Sequence, residues 1–241
     1  MHPFLKNVHP SWLGILTQAL GKVEDSYLSV LLGESTWLPG AQHILSAFSL
    51  PKENTRYLLL GESPYPRQAS ANGYAFWDAS VASLWSETGF SKQVNRATSL
   101  RNWIKMLLVA RGDLKEANVS QEAIAVLNKS FYVQTAAELF KNFLDKGFLL
   151  LNASLVFRTA DTVKLDAKAW LPFLGSLLSS LKETSIELIL MGNIAKKVSQ
   201  IEAAPSFKTL SVEHPYNLSF IHNRAVQDFF RPLELLKNES K

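Results

Sequence analysis

The chain contains no cysteine, which excludes disulfides and cysteine-ligated metal centres and leaves the redox compartment open. Its five histidines, His2, His9, His43, His214 and His222, are scattered, with neither H-E-x-x-H nor H-x-H spacing, so no metal is expected. No apolar run approaches the ~20 residues of a membrane span, and the N-terminal MHPFLKNVHPSW lacks the apolar stretch of a secretory signal. Internal repeats, low-complexity tracts and linkers are also missing. These absences predict a soluble, cytoplasmic protein with no membrane partner, folded as a single domain over residues 1–241.

What remains is ample for a core: 241 residues, 47% of them hydrophobic and 19% charged. The net charge of +4 and pI near 9.2 are compatible with a polyanionic partner without establishing one.

Hydropathy patterning supplies the elements. Helical spacing starts at Pro10-Ser11 and continues through Trp12, Leu13, Leu16, Leu20 and Val23, and a second helical piece is predicted over Ala41 to Phe48. Arg56 to Leu60 reads as a buried strand stopped by Gly61 and Pro64, and residues 79–97 read as irregular. Ser99 is placed to cap a helix through about Ala110, with further helices around 121–129 and 134–145. Gly147 to Leu151 is a second apolar strand closed by Asn152, and Asp166 to Leu181 is helical, with Pro172 either near its first turns or kinking it. Ile186 to Met191 gives a third strand before Gly192-Asn193, Thr209 to Val212 a fourth before Glu213-His214-Pro215, and the last helix covers Arg224 to Leu236.

Apolar strands separated by helices predict an α/β protein, a three-layer α/β/α sandwich around a central, mainly parallel four-stranded sheet. In that architecture ligands bind beyond the carboxyl ends of the strands. The loop from Gly61, Asn152, Gly192-Asn193 and His214 all fall there and are expected to line one crevice.

Over residues 37 to 237 the sequence resembles the uracil-DNA glycosylase superfamily, most closely the branch of the ordinary bacterial and human enzymes. The resemblance rests on segments in the family's order: LPGAQHILSAF, LLLGESPYPRQASANGYAF, TSLRN, GFLLLNASLVFR, LILMGNIAKK and EHPYNLSF. It implies a monomer that acts on uracil-containing DNA, double- or single-stranded, by base flipping, with no cofactor and no lyase step. Phe76 matches the ring that stacks on uracil, Asn152 the carboxamide that reads its edge, and Tyr65 the wall against a thymine methyl group. His214 matches the donor to the uracil carbonyl as charge builds on the departing base. Leu218 matches the apolar wedge, and Ser99, Ser219 and the amides around Gly192 and Asn193 match phosphate contacts. Arg67, Arg101, Lys196, Lys197 and Arg224 are candidate sources of positive charge.

The first motif departs from the family. Where the familiar branch reads Gly-Gln-Asp-Pro-Tyr-His, this chain reads Gly61-Glu62-Ser63-Pro64-Tyr65-Pro66. The poxvirus enzyme also has Pro in the last position, but the Asp that orients water and opposes charge on the sugar is here Ser63. A thermophilic-type branch reads Gly-Glu-Ala-Pro-Gly, so Glu62 is an alternative carboxylate, provided the loop turns it inward. The wedge segment also differs, with Tyr216 and Asn217 replacing small and rigid residues. Catalysis through Ser63, His214 and Glu62 therefore competes with a second reading, a uracil- or abasic-site-binding protein with weak or no turnover. A third reading, Ser63 as nucleophile with His214 and Asp161 or Asp166, lacks the Gly-x-Ser-x-Gly elbow, since Tyr65 takes the second glycine's place.

Overall fold

The structure, a computed structural model, describes residues 2–238. Its strands are β1 (Tyr57–Gly61), the two-residue β2 (Trp85–Ser86) and β3 (Gly89–Phe90), β4 (Phe148–Asn152), β5 (Glu187–Met191) and β6 (Thr209–Val212). The helices are α1 (Leu13–Leu20), α2 (Asp25–Gly33), α3 (Lys92–Arg96), α4 (Thr98–Arg111), α5 (Gln121–Ala125), α6 (Ala136–Asp145), α7 (Val163–Leu181), α8 (Ile194–Val198), α9 (Ser219–His222) and α10 (Arg224–Phe230).

Four strands make the central sheet in the order β4-β1-β5-β6, and β1 pairs in parallel with both β4 and β5. Parallel neighbours need long crossovers, which is why helical segments separate these strands in sequence. The result is the expected three-layer α/β fold, with helices flanking a parallel sheet. The described residues pack as two compact units: those up to Asp78 with Gly147–Ser211, and Ala79–Lys146 with those from Val212 onward.

In the first unit one sheet face is built by alternation. Leu58, Leu60, Leu149, Leu151, Leu188 and Leu190 join Trp12, Leu16, Trp170 and Leu177 in one apolar core. The intervening Leu59, Leu150 and Ile189 have no exposed surface either, so these runs are apolar at every position. A charged cluster lies in the same unit: Asp166, with no exposed surface, accepts from Tyr27 Oη at 2.7 Å, Arg158 Nε at 2.8 Å and Thr162 Oγ1 at 2.9 Å. Burial, and then the Asp166 carboxylate, raise the Tyr27 phenol above its ordinary pKa. Asp166→Asn removes the charge that balances Arg158, and it is expected to cost about 3 kcal/mol. Urea unfolding should report this as a lower midpoint at constant slope.

In the second unit, α4 is buried on nearly every side. Trp103 meets Phe143, Phe220 and Phe230 edge-on, at centroid distances of 5.6, 5.8 and 5.6 Å. Helix α6 starts at a capping box, with Thr135 and Glu138 bonding each other's backbone amides.

Several element boundaries differ from expectation for local reasons. Residues 41–48 form turns and a 3₁₀ stretch at Ser46–Phe48 rather than a helix, and Leu50-Pro51 bars continuation. The segment from Pro10 opens with a 3₁₀ turn, Pro10–Trp12, before α1. The last helix stops at Phe230 because Pro232 follows, and Arg231–Leu233 tightens to 3₁₀. Ser99 is not a cap: it sits in the first turn of α4, whose N-cap is Ala97. Pro172 lies inside α7 rather than at its start, since that helix begins at Val163. Helix α5 ends at Ala125, short of residue 129. The supposedly irregular 79–97 holds the β2–β3 hairpin and α3, elements too short to show periodicity.

Candidate functional site

The first unit assembles a site where β1 and β4 end in register, Gly61 beside Asn152. A Cβ on Gly61 would stand 2.5 Å from Asn152 Oδ1, 3.0 Å from Ala75 Cβ and 3.6 Å from Phe76 Cε2. Only glycine permits this approach, so one bare strand end brings the Asn152 carboxamide and the Phe76 ring together. Asn152 is 5% exposed. Among the described residues none hydrogen-bonds its carboxamide, although buried amides normally have partners.

Phe76 is held in an unusual backbone state. Its φ is +64°, in the left-handed region that a bulky side chain rarely enters, at a cost of order 1–3 kcal/mol. Two hydrogen bonds hold it there. The Ala75 N–H donates to Leu150 O at 3.0 Å, fastening the loop to the outer edge of β4, and Tyr65 Oη donates to Phe76 O at 3.2 Å. Upstream, Gly73 (φ +87°) passes His43 so closely that a Cβ would lie 1.9 Å from its carbonyl oxygen.

Tyr65 is kept as a neutral donor. Burial first, and then the Asp78 carboxylate, push its phenol up to about 12, against an opposing pull from Arg67. Asp78 is itself buried and takes Arg67 Nη2 at 3.0 Å. The chain thus ties Arg67, Tyr65, Phe76 and Asp78 into one loop framework, and Arg67 has a partner within the protein.

The two residues after Gly61 diverge. Parallel pairing runs past β1, with Ala153 N–H to Gly61 O and Ser154 N–H to Glu62 O, both at 2.9 Å. With its backbone fixed in this way, Glu62 turns a half-exposed carboxylate toward Lys197 Nζ of α8 at 3.5 Å. Ser63 is half-buried, next to the buried Pro64, and among the described residues none hydrogen-bonds its hydroxyl. Gly192, with φ +74°, turns the chain from β5 toward α8. Asp166 is committed to Tyr27, Arg158 and Thr162, so it is not an orienting acid for Ser63.

The other expected site residues belong to the second unit. His214 is half-buried, and its Nδ1 accepts the Tyr216 N–H at 3.1 Å, so the neutral ring carries its proton on Nε2. Asn217 N–H donates to His214 O at 2.9 Å. Asn102 of α4, completely buried, donates through Nδ2 to Pro215 O at 2.9 Å and Tyr216 O at 3.3 Å. The 214–217 loop is therefore clamped from below. At its tip Leu218 is 67% exposed, and before it the Glu213 carboxylate accepts from Asn223 Nδ2 at 2.7 Å. Burial pushes that carboxyl up, but its own backbone N–H, Asn223 and Ser219 outweigh this and hold it below the usual range. Ser99 lies half-buried at the start of α4. Arg101 is spent on Asn95 O at 2.8 Å, and Arg224 lies 3.5 Å from Asp228.

Sequence reasoning missed three contributors. The sequence marks Gly61 as a strand stop and the start of the crevice loop, but its role in letting Asn152 and Phe76 approach is a tertiary property with no local signal. Asn102 sat inside the matched TSLRN segment, and a polar residue amid Leu100, Trp103 and Ile104 on a buried helix was the clue. Ala75 acts through its backbone and left no sequence signal.

No family model matches the chain. The UNG of Nitratifractor salsuginis is 41% identical, with a TM-score of 0.95 over 98% of this chain and 96% of that one. A uracil-DNA glycosylase of Amoebophilus asiaticus is 26% identical over 216 residues, covering 87% of this chain and 84% of the relative. The mimivirus uracil-DNA glycosylase is 16% identical with a TM-score of 0.59, a likeness of fold alone. Given the near-complete match to the Nitratifractor protein, the chain belongs to the uracil-DNA glycosylase superfamily.

Proposed function

We propose that this protein excises uracil from DNA for base-excision repair by hydrolysing the N-glycosidic bond of a flipped-out deoxyuridine, as a monomer without cofactor or lyase step. The observation that carries this reading is the Asn152 carboxamide: buried, without a partner among the described residues, and beside the Phe76 ring. A carboxamide both donates and accepts, which matches the alternating edge of uracil, while the ring offers a stacking face. Tyr65 closes the pocket against a methyl group, and His214 donates from Nε2 to the uracil carbonyl as negative charge develops there. Leu218 enters the space left by the base, and the Ser99 and Ser219 hydroxyls and the amide of Gly192 contact phosphates. Ser63 holds the attacking water without supplying charge, which makes the reaction slow. Uracil is accepted from single strands as well as duplexes.

The test is incubation of the protein in excess with an end-labelled uracil oligonucleotide, followed by alkali. Scission only after alkali supports monofunctional excision. Binding without scission supports the second reading, which Ser63 favours because it supplies no carboxylate.

Gly61→Ala gives a geometric test. Its methyl group cannot coexist with Asn152 Oδ1 at 2.5 Å, so the carboxamide must move. A displacement near 1 Å in a positioned group costs about a hundredfold, and single-turnover excision should fall by that order in a protein that still folds.

A further inference from the structure

We propose that Tyr216 is a second intercalating side chain, stacking on a base face uncovered when uracil leaves the duplex. This rests on the excision reading above. Tyr216 is 66% exposed and Leu218 67%, two large apolar side chains two residues apart on one loop of the second unit. Other large apolar side chains are as exposed, Val126 at 85% and Phe131 at 65% among them, but Tyr216 and Leu218 stand together at the tip of a backbone clamped from below.

The backbone beneath them is rigid. Asn102 holds the carbonyls of Pro215 and Tyr216, the Tyr216 N–H is bonded to His214 Nδ1, and Asn217 N–H to His214 O. With both backbone groups of Tyr216 engaged, its ring alone projects into solvent at little further entropic cost. An aromatic ring on a fixed backbone, with only two side-chain torsions left to order, is suited to an exposed base face, and stacking of this kind is sequence-tolerant. Leu218, aliphatic and compact, fills a gap but offers no π-face. The two side chains therefore divide the work: Leu218 occupies the vacated space and Tyr216 covers a neighbouring base.

The experiment compares wild type, Tyr216→Ala and Tyr216→Phe on uracil oligonucleotides, duplex and single-stranded, under single-turnover conditions. A parallel arm follows the fluorescence of 2-aminopurine placed beside the uracil. Tyr216→Ala is expected to lower duplex excision about tenfold relative to single-strand excision, and Tyr216→Phe to restore the ratio. The 2-aminopurine signal should change on binding wild type and Tyr216→Phe but much less with Tyr216→Ala. Equal loss on both substrates, no loss on either, or failure of Phe to rescue would overturn the proposal. Should the wild type excise nothing, the excision reading fails, and the fluorescence arm still decides: a response lost in Tyr216→Ala supports intercalation, and the same response in both proteins refutes it.

Discussion

Ser63→Asp should accelerate uracil excision, by up to about a thousandfold. The ceiling follows from Coulomb's law: a carboxylate about 4 Å from a developing unit charge is worth roughly 4 kcal/mol at an effective dielectric near 20, and each 1.36 kcal/mol is about tenfold in rate. The position suits the change. Ser63 is half-buried, its hydroxyl has no hydrogen-bond partner among the described residues, and its backbone follows a ladder extended through Glu62 O. Single-turnover rates on one oligonucleotide measure the effect, and a rate unchanged or lowered would remove the idea that serine merely replaced a water activator. Glu62→Gln is the companion measurement. Glu62 is half-exposed and lies 3.5 Å from Lys197, a surface pair whose loss costs at most about 1 kcal/mol. A small change in rate is expected, whereas abolished activity would move the catalytic carboxylate to Glu62.

Removal of the imidazole should have the opposite sign and similar size. His214→Ala is expected to lower the single-turnover rate by about a hundred- to a thousandfold, the usual cost of losing one donor to a developing oxyanion. The Tyr216 N–H occupies Nδ1, so the neutral ring has a single proton to offer, from Nε2. On the proposed reading the His214–uracil bond strengthens only as charge accumulates on the base, so affinity for uracil-containing DNA should change by no more than a few-fold. A matched loss of affinity and rate would mean that His214 serves binding and not the chemical step. The variant remains assessable, since Asn102 still grips Pro215 and Tyr216 without the ring.

Strands β1, β4 and β5 were legible because each carries a short apolar run, and β6, in which Thr209 and Ser211 alternate with Leu210 and Val212, also falls on the expected residues. Asn152 was legible as the polar residue ending such a run, and the structure sets it in register with Gly61. Helix ends were less so, since Pro232 ends α10 early while Pro172 is carried inside α7 by packing of Trp170, Phe173 and Leu174. What no pattern announced is the left-handed state of Phe76, because it depends on hydrogen bonds from residues far apart in sequence, Ala75 to Leu150 and Tyr65 to Phe76. Likewise Gly61 matters for the side chains that a Cβ would strike, a property of the fold and not of the local sequence.

Because Asn102, Tyr216 and Asn217 bind the imidazole and the exposed tip into one stiff piece, the two cannot be adjusted independently. If the tip meets DNA as proposed, a shift of that tip should swing the imidazole by a comparable amount. On the proposed reading, mechanical sensing of a loosened base pair and readiness for bond cleavage are thereby geared together, and a substitution that slackens the gear should blunt discrimination and turnover at once.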